Sequence, residues 1–181
     1  MPTPAACGSW RSPLTTDILV AETVRLSYPT LGRDGTPHWI EGRPAEKGRN
    51  VLVRGGDRTT DLVPQPWNAR SRVYEYGGLA YALHEAAGAV VFVDFASQGL
   101  VVRTADGNVR PLGTPSDWRF VDLVIDERRN RVLALGERHT PGAHEPTNAI
   151  VAIDLGSGQV DVLRAGRDFY ACPRLSPDGR S

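Results

Sequence analysis

At 181 residues, with 40% hydrophobic and 23% charged side chains, the chain can bury the core of one ordinary domain and is too short for two large ones. Its 21 basic and 21 acidic residues cancel, and no local excess of positive charge stands out, which excludes a nucleic-acid or acidic-membrane surface. No apolar run approaches the roughly 18–20 residues of a membrane span, and Met1 to Trp10 lacks the basic patch and apolar stretch of a signal peptide.

Along the chain, Thr15-Thr16-Asp17 predicts a cap for a short N-terminal helix running through Ile18, Leu19 and Glu22, within a segment 1–22 that precedes the main domain. Strands are then expected at Val24 to Leu26, His38 to Glu41, Asn50 to Arg54 and Thr60 to Val63. From Tyr81 onward the pattern sharpens. Ala89 to Asp94, Leu100 to Thr104 and Val109 to Leu112 are short β-branched or alternating runs, and the last two are joined through Asp106-Gly107, a favoured hairpin turn. The same order repeats in Phe120 to Ile125, Arg131 to Gly136, Asn148 to Leu155 and Gln159 to Leu163, with an insertion at Glu137 to Thr147. Ala171 to Leu175 predicts one more strand before Ser176-Pro177-Asp178-Gly179.

Three turns align: Leu83 to Gly88, Ile125 to Asn130 and Leu175 to Arg180, spaced 42 and then 50 residues apart. Repeats of roughly 40–50 residues with four strands each mark β-propeller blades; a β-sandwich, which also has short evenly spaced strands, is the competing architecture. The expected fold is all-β: a partial propeller with blades at approximately 23–65, 79–113 and 119–164 and the first strand of a fourth within 168–181. Closed propellers have typically about four to eight blades, and an open arc exposes unpaired edges, so the count predicts the amino-terminal part of something larger.

Candidate chemistry is sparse. Ser157 lies between Gly156 and Gly158 at the wrong spacing for a nucleophile elbow, and a strand rather than a helix follows, so neither a hydrolase serine nor a phosphate loop is expected there. His139 and His144 flank a loop with Glu137 and Glu145, but Pro141, Gly142 and Pro146 prevent a helix from presenting them together, and a solvated loop is the reading. No catalytic residue, metal site or cofactor is expected. Cys7 and Cys172 sit at opposite ends of the chain without a pairing framework, which suits a reducing cytoplasm.

One segment is different. Asn68 to Ala80 places Arg70, Arg72 and Glu75 around Tyr74 and Tyr76, then Gly77-Gly78, immediately before an expected inner strand. Inner strands and their entry loops line a propeller's channel. Arg72, Glu75 and Tyr76 are therefore candidates for a lip that contacts a substrate or a partner domain; the alternative is an Arg–Glu pair with aromatic packing between blades.

Here the text resembles a known family. Gly8-Ser9-Trp10-Arg11-Ser12-Pro13-Leu14-Thr15, Trp39-Ile40-Glu41-Gly42-Arg43-Pro44-Ala45-Glu46-Lys47-Gly48-Arg49, Asn68 to Gly78 and Asp168 to Arg180 are similar, in order, to stretches of bacterial prolyl oligopeptidase-family serine peptidases of the acylaminoacyl-peptidase and dipeptidyl-aminopeptidase-like branch. The resemblance implies an N-terminal β-propeller that restricts access of short peptides to a C-terminal α/β-hydrolase domain, where the Ser-Asp-His triad resides. By likeness, Arg72 and Glu75 fall on the arginine and glutamate of the family's R-x-HEYGG motif, and Tyr74 stands where the family usually has histidine. The implied partners are that hydrolase domain and short peptides, with no nucleic acid or membrane. The other function class left open is a stand-alone β-rich protein-binding module.

Overall fold

The computed structural model describes residues 4–10, 14–16 and 23–180; the helix expected through Glu22 lies largely outside them. Twelve strands follow in chain order: β1 (Arg25–Leu31), β2 (Pro37–Arg43), β3 (Arg49–Arg54), β4 (Thr60–Asp61), β5 (Tyr81–His84), β6 (Ala89–Val93), β7 (Leu100–Arg103), β8 (Val109–Pro111), β9 (Trp118–Asp126), β10 (Arg131–Arg138), β11 (Thr147–Asp154) and β12 (Val160–Ala165). They form three four-stranded antiparallel sheets, each an up-and-down meander in sequence order. No closed barrel or sandwich forms among these residues; the sheets are stacked as blades. The first strands of the second and third sheets lie side by side, tied by the Asp122 N–H donating to the Leu79 carbonyl at 2.8 Å.

The middle sheet explains its own sequence. Side chains alternate across a strand, so Val90, Phe92 and Val101 enter the core shared with the first sheet, alongside Ile40, Val51 and Val53. Val91, Val93, Leu100 and Val102 enter the core shared with the third sheet, alongside Phe120, Val132 and Val151. Burial on both faces is why β6 reads as an unbroken Ala-Val-Val-Phe-Val rather than as an alternating strand. Strand β12, at the edge, carries the charged Asp161 and Arg164 and is mostly exposed.

Two of the three aligned turns share one shape. Residues Glu85–Ala87 and Glu127–Arg129 form 3-10 turns that exit through left-handed Gly88 (φ 59°) and Asn130 (φ 49°). The hairpins after β6 and β11 repeat as well: Asp94 accepts from the amide and hydroxyl of Ser97, and Asp154 accepts from those of Ser157. Ser157, excluded above as a hydrolase nucleophile, is thus held in a hairpin turn. Between blades, Arg33 in the β1–β2 turn pairs with both Glu85 (3.0 Å) and Glu127 (2.9 Å), drawing the same end of all three sheets together.

Ala171 to Leu175 carries no strand, because no ladder partner lies beside it among the described residues, and an extended chain counts as a strand only through its neighbour. The segment instead leans on the third sheet. Arg128 and Arg129 donate to the carbonyls of Asp178 (2.6 Å) and Gly179 (2.8 Å).

Asp126 gives the fold a testable acid sensitivity. Its side chain is buried at 2% exposure. Burial opposes its ionisation, but hydrogen bonds from Arg131 and Arg129, both at 3.0 Å, outweigh that and hold the carboxyl below the usual range. A depressed folded-state pKa stabilises above the unfolded value of about 3.9, and the contribution disappears as pH falls through the folded value. Urea midpoints measured from pH 6 to pH 3 should fall for the native chain and fall less steeply for Asp126→Asn.

Candidate site at the loop between the first and second sheets

The segment Asn68 to Ala80 stitches all three sheets before it enters β5. Ala69 N–H donates to the Asn50 carbonyl (2.9 Å) and Arg70 N–H to the Val93 carbonyl (3.0 Å), joining the first sheet to the second. Ser71 Oγ donates to the Phe120 carbonyl at 2.6 Å, reaching the third. The chain then makes a 3-10 turn, Val73–Glu75, in which Tyr74 (φ 55°) and Glu75 (φ 65°) are both left-handed. Two consecutive non-glycine residues in that region cost on the order of 1–3 kcal/mol each and persist only when the surroundings hold them.

The holder is Glu137 of β10, buried at 3% exposure. It accepts from the Tyr74 amide (3.2 Å), His139 Nε2 (2.8 Å) and Arg119 Nη1 (3.4 Å). Tyr74 is fixed at its other end too: its hydroxyl donates to the Tyr170 carbonyl (3.2 Å) and accepts from the Tyr170 amide (3.1 Å). Burial pushes the Tyr74 phenol pKa up. At this position, where the resembled family has histidine, the ring serves as a strut for the segment after β12.

The three candidate residues do not converge on one point. Arg72 lies over the Phe95 ring, its guanidinium carbon 4.2 Å from the centroid, and Arg70 lies over the same ring at 5.0 Å. Glu75 is 82% exposed at its side chain and pairs with Arg119 at 3.0 Å. An Arg–Glu pair therefore exists, but its arginine comes from β9 rather than from Arg70 or Arg72. Tyr76 is 79% exposed. Arg119 escaped sequence reasoning, and Glu137 entered it only as a member of the solvated His139 loop rather than as a buried brace, because only the stacking of sheets brings them to this segment. The one available signal was a carboxylate ending the apolar run Val132-Leu133-Ala134-Leu135-Gly136. The His139 loop assembles no metal centre: among the described residues no three potential ligands cluster.

Tyr76 borders a groove of about 410 Å³ between the first and second sheets, whose wall includes Arg25, Ser27, Tyr28, Arg70 and Gly77-Gly78. Gly77 (φ 77°) passes so close to Ser71 that a Cβ there would stand 2.5 Å from the Ser71 carbonyl oxygen. Gly77→Ala should thus displace this wall and lower the melting temperature, read by differential scanning calorimetry, by roughly 4–8 °C, given about 2 kcal/mol for a crowded left-handed alanine.

No protein-family model and no curated protein matches the chain. Solved structures do. A puromycin-hydrolysing peptidase of Mycobacterium tuberculosis superposes with a TM-score of 0.83 at 34% identity over 95% of this chain. A puromycin hydrolase matches with a TM-score of 0.79, and a serine-to-alanine mutant of a puromycin hydrolase complexed with PGG with 0.80, each at 30% identity over 94% of this chain. The chain spans 29% of the length of each. With three meandering blades, four motif stretches in register and this likeness in both sequence and fold, the chain belongs to the β-propeller portion of the prolyl oligopeptidase-family peptidases.

Proposed function

We propose that these blades are part of a propeller wall that admits short peptides to a C-terminal α/β-hydrolase domain in the cytoplasm, with the hydrolysis carried out by that domain. The observation that carries this reading is the loop Arg72 to Gly78. It enters the inner strand β5, is braced in a strained conformation, and leaves Glu75 and Tyr76 exposed where a peptide or a second domain can meet them. Strain held by a buried carboxylate is a cost that folding alone does not require. The peptidase and puromycin-hydrolase names of the structural relatives supply the substrate class.

Three hydrogen-bonded serines of the blades carry no activating base. The Ser71 hydroxyl donates to a backbone carbonyl, and those of Ser97 and Ser157 donate to carboxylates; none of these partners is an imidazole. A fluorophosphonate should leave the 181-residue chain unlabelled, and a labelled serine would show catalytic chemistry of its own. The gating role is tested by joining the chain to a relative's remaining blades and hydrolase domain and assaying chromogenic acyl-peptides of increasing length. Activity restricted to short peptides supports the reading; activity indifferent to length, or identical without these blades, rejects it. In the same enzyme Glu75→Ala should change kcat/KM several-fold while shifting the melting temperature by less than about 4 °C, because an exposed ion pair contributes roughly 0–1 kcal/mol.

A further inference from the structure

We propose that the groove between the first and second sheets is an anion site, and that its ligand is the terminal carboxylate of a short peptide. The peptide half of this statement rests on the channel reading above; the anion half stands on the groove itself. Two arginines line it, Arg25 from the start of β1 and Arg70 from the crossing segment, and no aspartate or glutamate is among its lining residues. The charges balance overall, and several guanidinium groups meet carboxylates: Arg43 meets Glu41, Glu46 and Asp61, and Arg119 meets Glu75 and Glu137. Among the described residues neither Arg25 nor Arg70 is part of an ion pair.

The groove is also built rather than incidental. Strand β1 is interrupted between Ser27 and Thr30, where its register shifts and Tyr28 turns left-handed (φ 53°). Bulges of this kind re-aim a strand beside functional sites. The irregularity is pinned from the second sheet: the buried Tyr81 hydroxyl donates to the Tyr28 carbonyl at 2.7 Å and lies 2.9 Å from Thr30 Oγ1. On the opposite wall, the Arg70 guanidinium carbon lies 5.0 Å from the Phe95 ring centroid, a cation–π contact that favours one placement of its planar fork. Guanidinium forks match carboxylates in two-pronged geometry. A volume of about 410 Å³ lies within the roughly 300–1,000 Å³ of small-molecule sites. The exposed Tyr28 and Tyr76 side chains on its border offer apolar surface. An organic acid with a side chain can use that surface; a bare inorganic ion cannot.

The test is an NMR titration of the 181-residue chain with N-acetyl-trialanine, its C-terminal amide, and inorganic phosphate, following backbone amides and arginine Nε–H signals. The free acid should bind saturably, shift Arg25 and Arg70 signals together, and weaken with added salt. The amide should bind at least about tenfold more weakly, and Arg25→Gln and Arg70→Gln should each weaken the acid by about tenfold. Both arginines are exposed, so unchanged amide spectra will report that the variants still fold. Equal binding of acid and amide, or unaltered affinity in both variants, overturns the site. Phosphate binding as tight as the acid overturns the carboxylate assignment. A peptide acid that binds here in a protein whose hydrolysis ignores peptide length leaves the groove standing and removes the gating role, so the two readings fail separately.

Discussion

Gly158→Ala should separate the second and third blades. Gly158 (φ 75°) ends the Asp154–Ser157 turn, and a Cβ at that position would stand 2.3 Å from the Leu112 carbonyl oxygen. The obstacle is backbone from the neighbouring blade, which cannot rotate aside as a side chain can. A left-handed alanine costs about 1–2 kcal/mol without any clash, and moving Leu112, which is buried in the core shared by the two sheets, adds to this. The expected loss is about 3 kcal/mol, or roughly 6–12 °C in melting temperature at this size. Gly107→Ala is the control, since Gly107 is also left-handed (φ 90°) but its Cβ would meet only the Arg103 guanidinium at 3.7 Å. If the two variants melt within about 2 °C of each other, the interblade contact at Gly158 does not govern stability.

Replacing the Glu137 carboxylate should have an effect of similar size and reach further. Glu137→Leu removes the acceptor for the Tyr74 amide, His139 and Arg119 in one step. Removing one partner from a buried charged cluster costs about 3–5 kcal/mol because the others are left without a counterpart. Arg119 retains Glu75, which places the expected loss near the lower end. Glu137→Gln keeps the shape and one acceptor oxygen and should lose about half as much. The distinguishing readout is local: hydrogen exchange at the Tyr74 amide should accelerate in Glu137→Leu more than exchange in β6, because the left-handed pair Tyr74-Glu75 has lost its brace. Uniform acceleration across the chain would mean that Glu137 supports the sheet and not the loop.

Both variants probe contacts that form only between blades, and this is where reading the sequence stopped. Within a blade the order of strands was legible. The β-branched runs, the Asp-Gly turn and the aligned turns ending at Gly88 and Asn130 are local features, and each strand of a meander pairs with the next in sequence. Strand ends moved by a few residues, as at β9, which begins at Trp118 rather than Phe120, because ladder partners continue where hydrophobicity does not. The candidate loop was visible as a cluster of residue types, but its geometry was not. Glu75 is 44 residues from its partner Arg119, and Tyr74 is 63 residues from Glu137.

The amino-acid sequence by itself determined the all-β class, the four-strand repeat and the family, since all three rest on short-range periodicity and on motifs read along the chain. The stacking of the sheets decided the rest: that Arg72 packs on Phe95 instead of pairing with Glu75, that Ala171 to Leu175 runs without a ladder, and that Arg25 and Arg70 share one groove. Side-chain partners across blades are set by how two twisted sheets bury their facing residues, and that packing depends on both sheets at once, which no single stretch of sequence records.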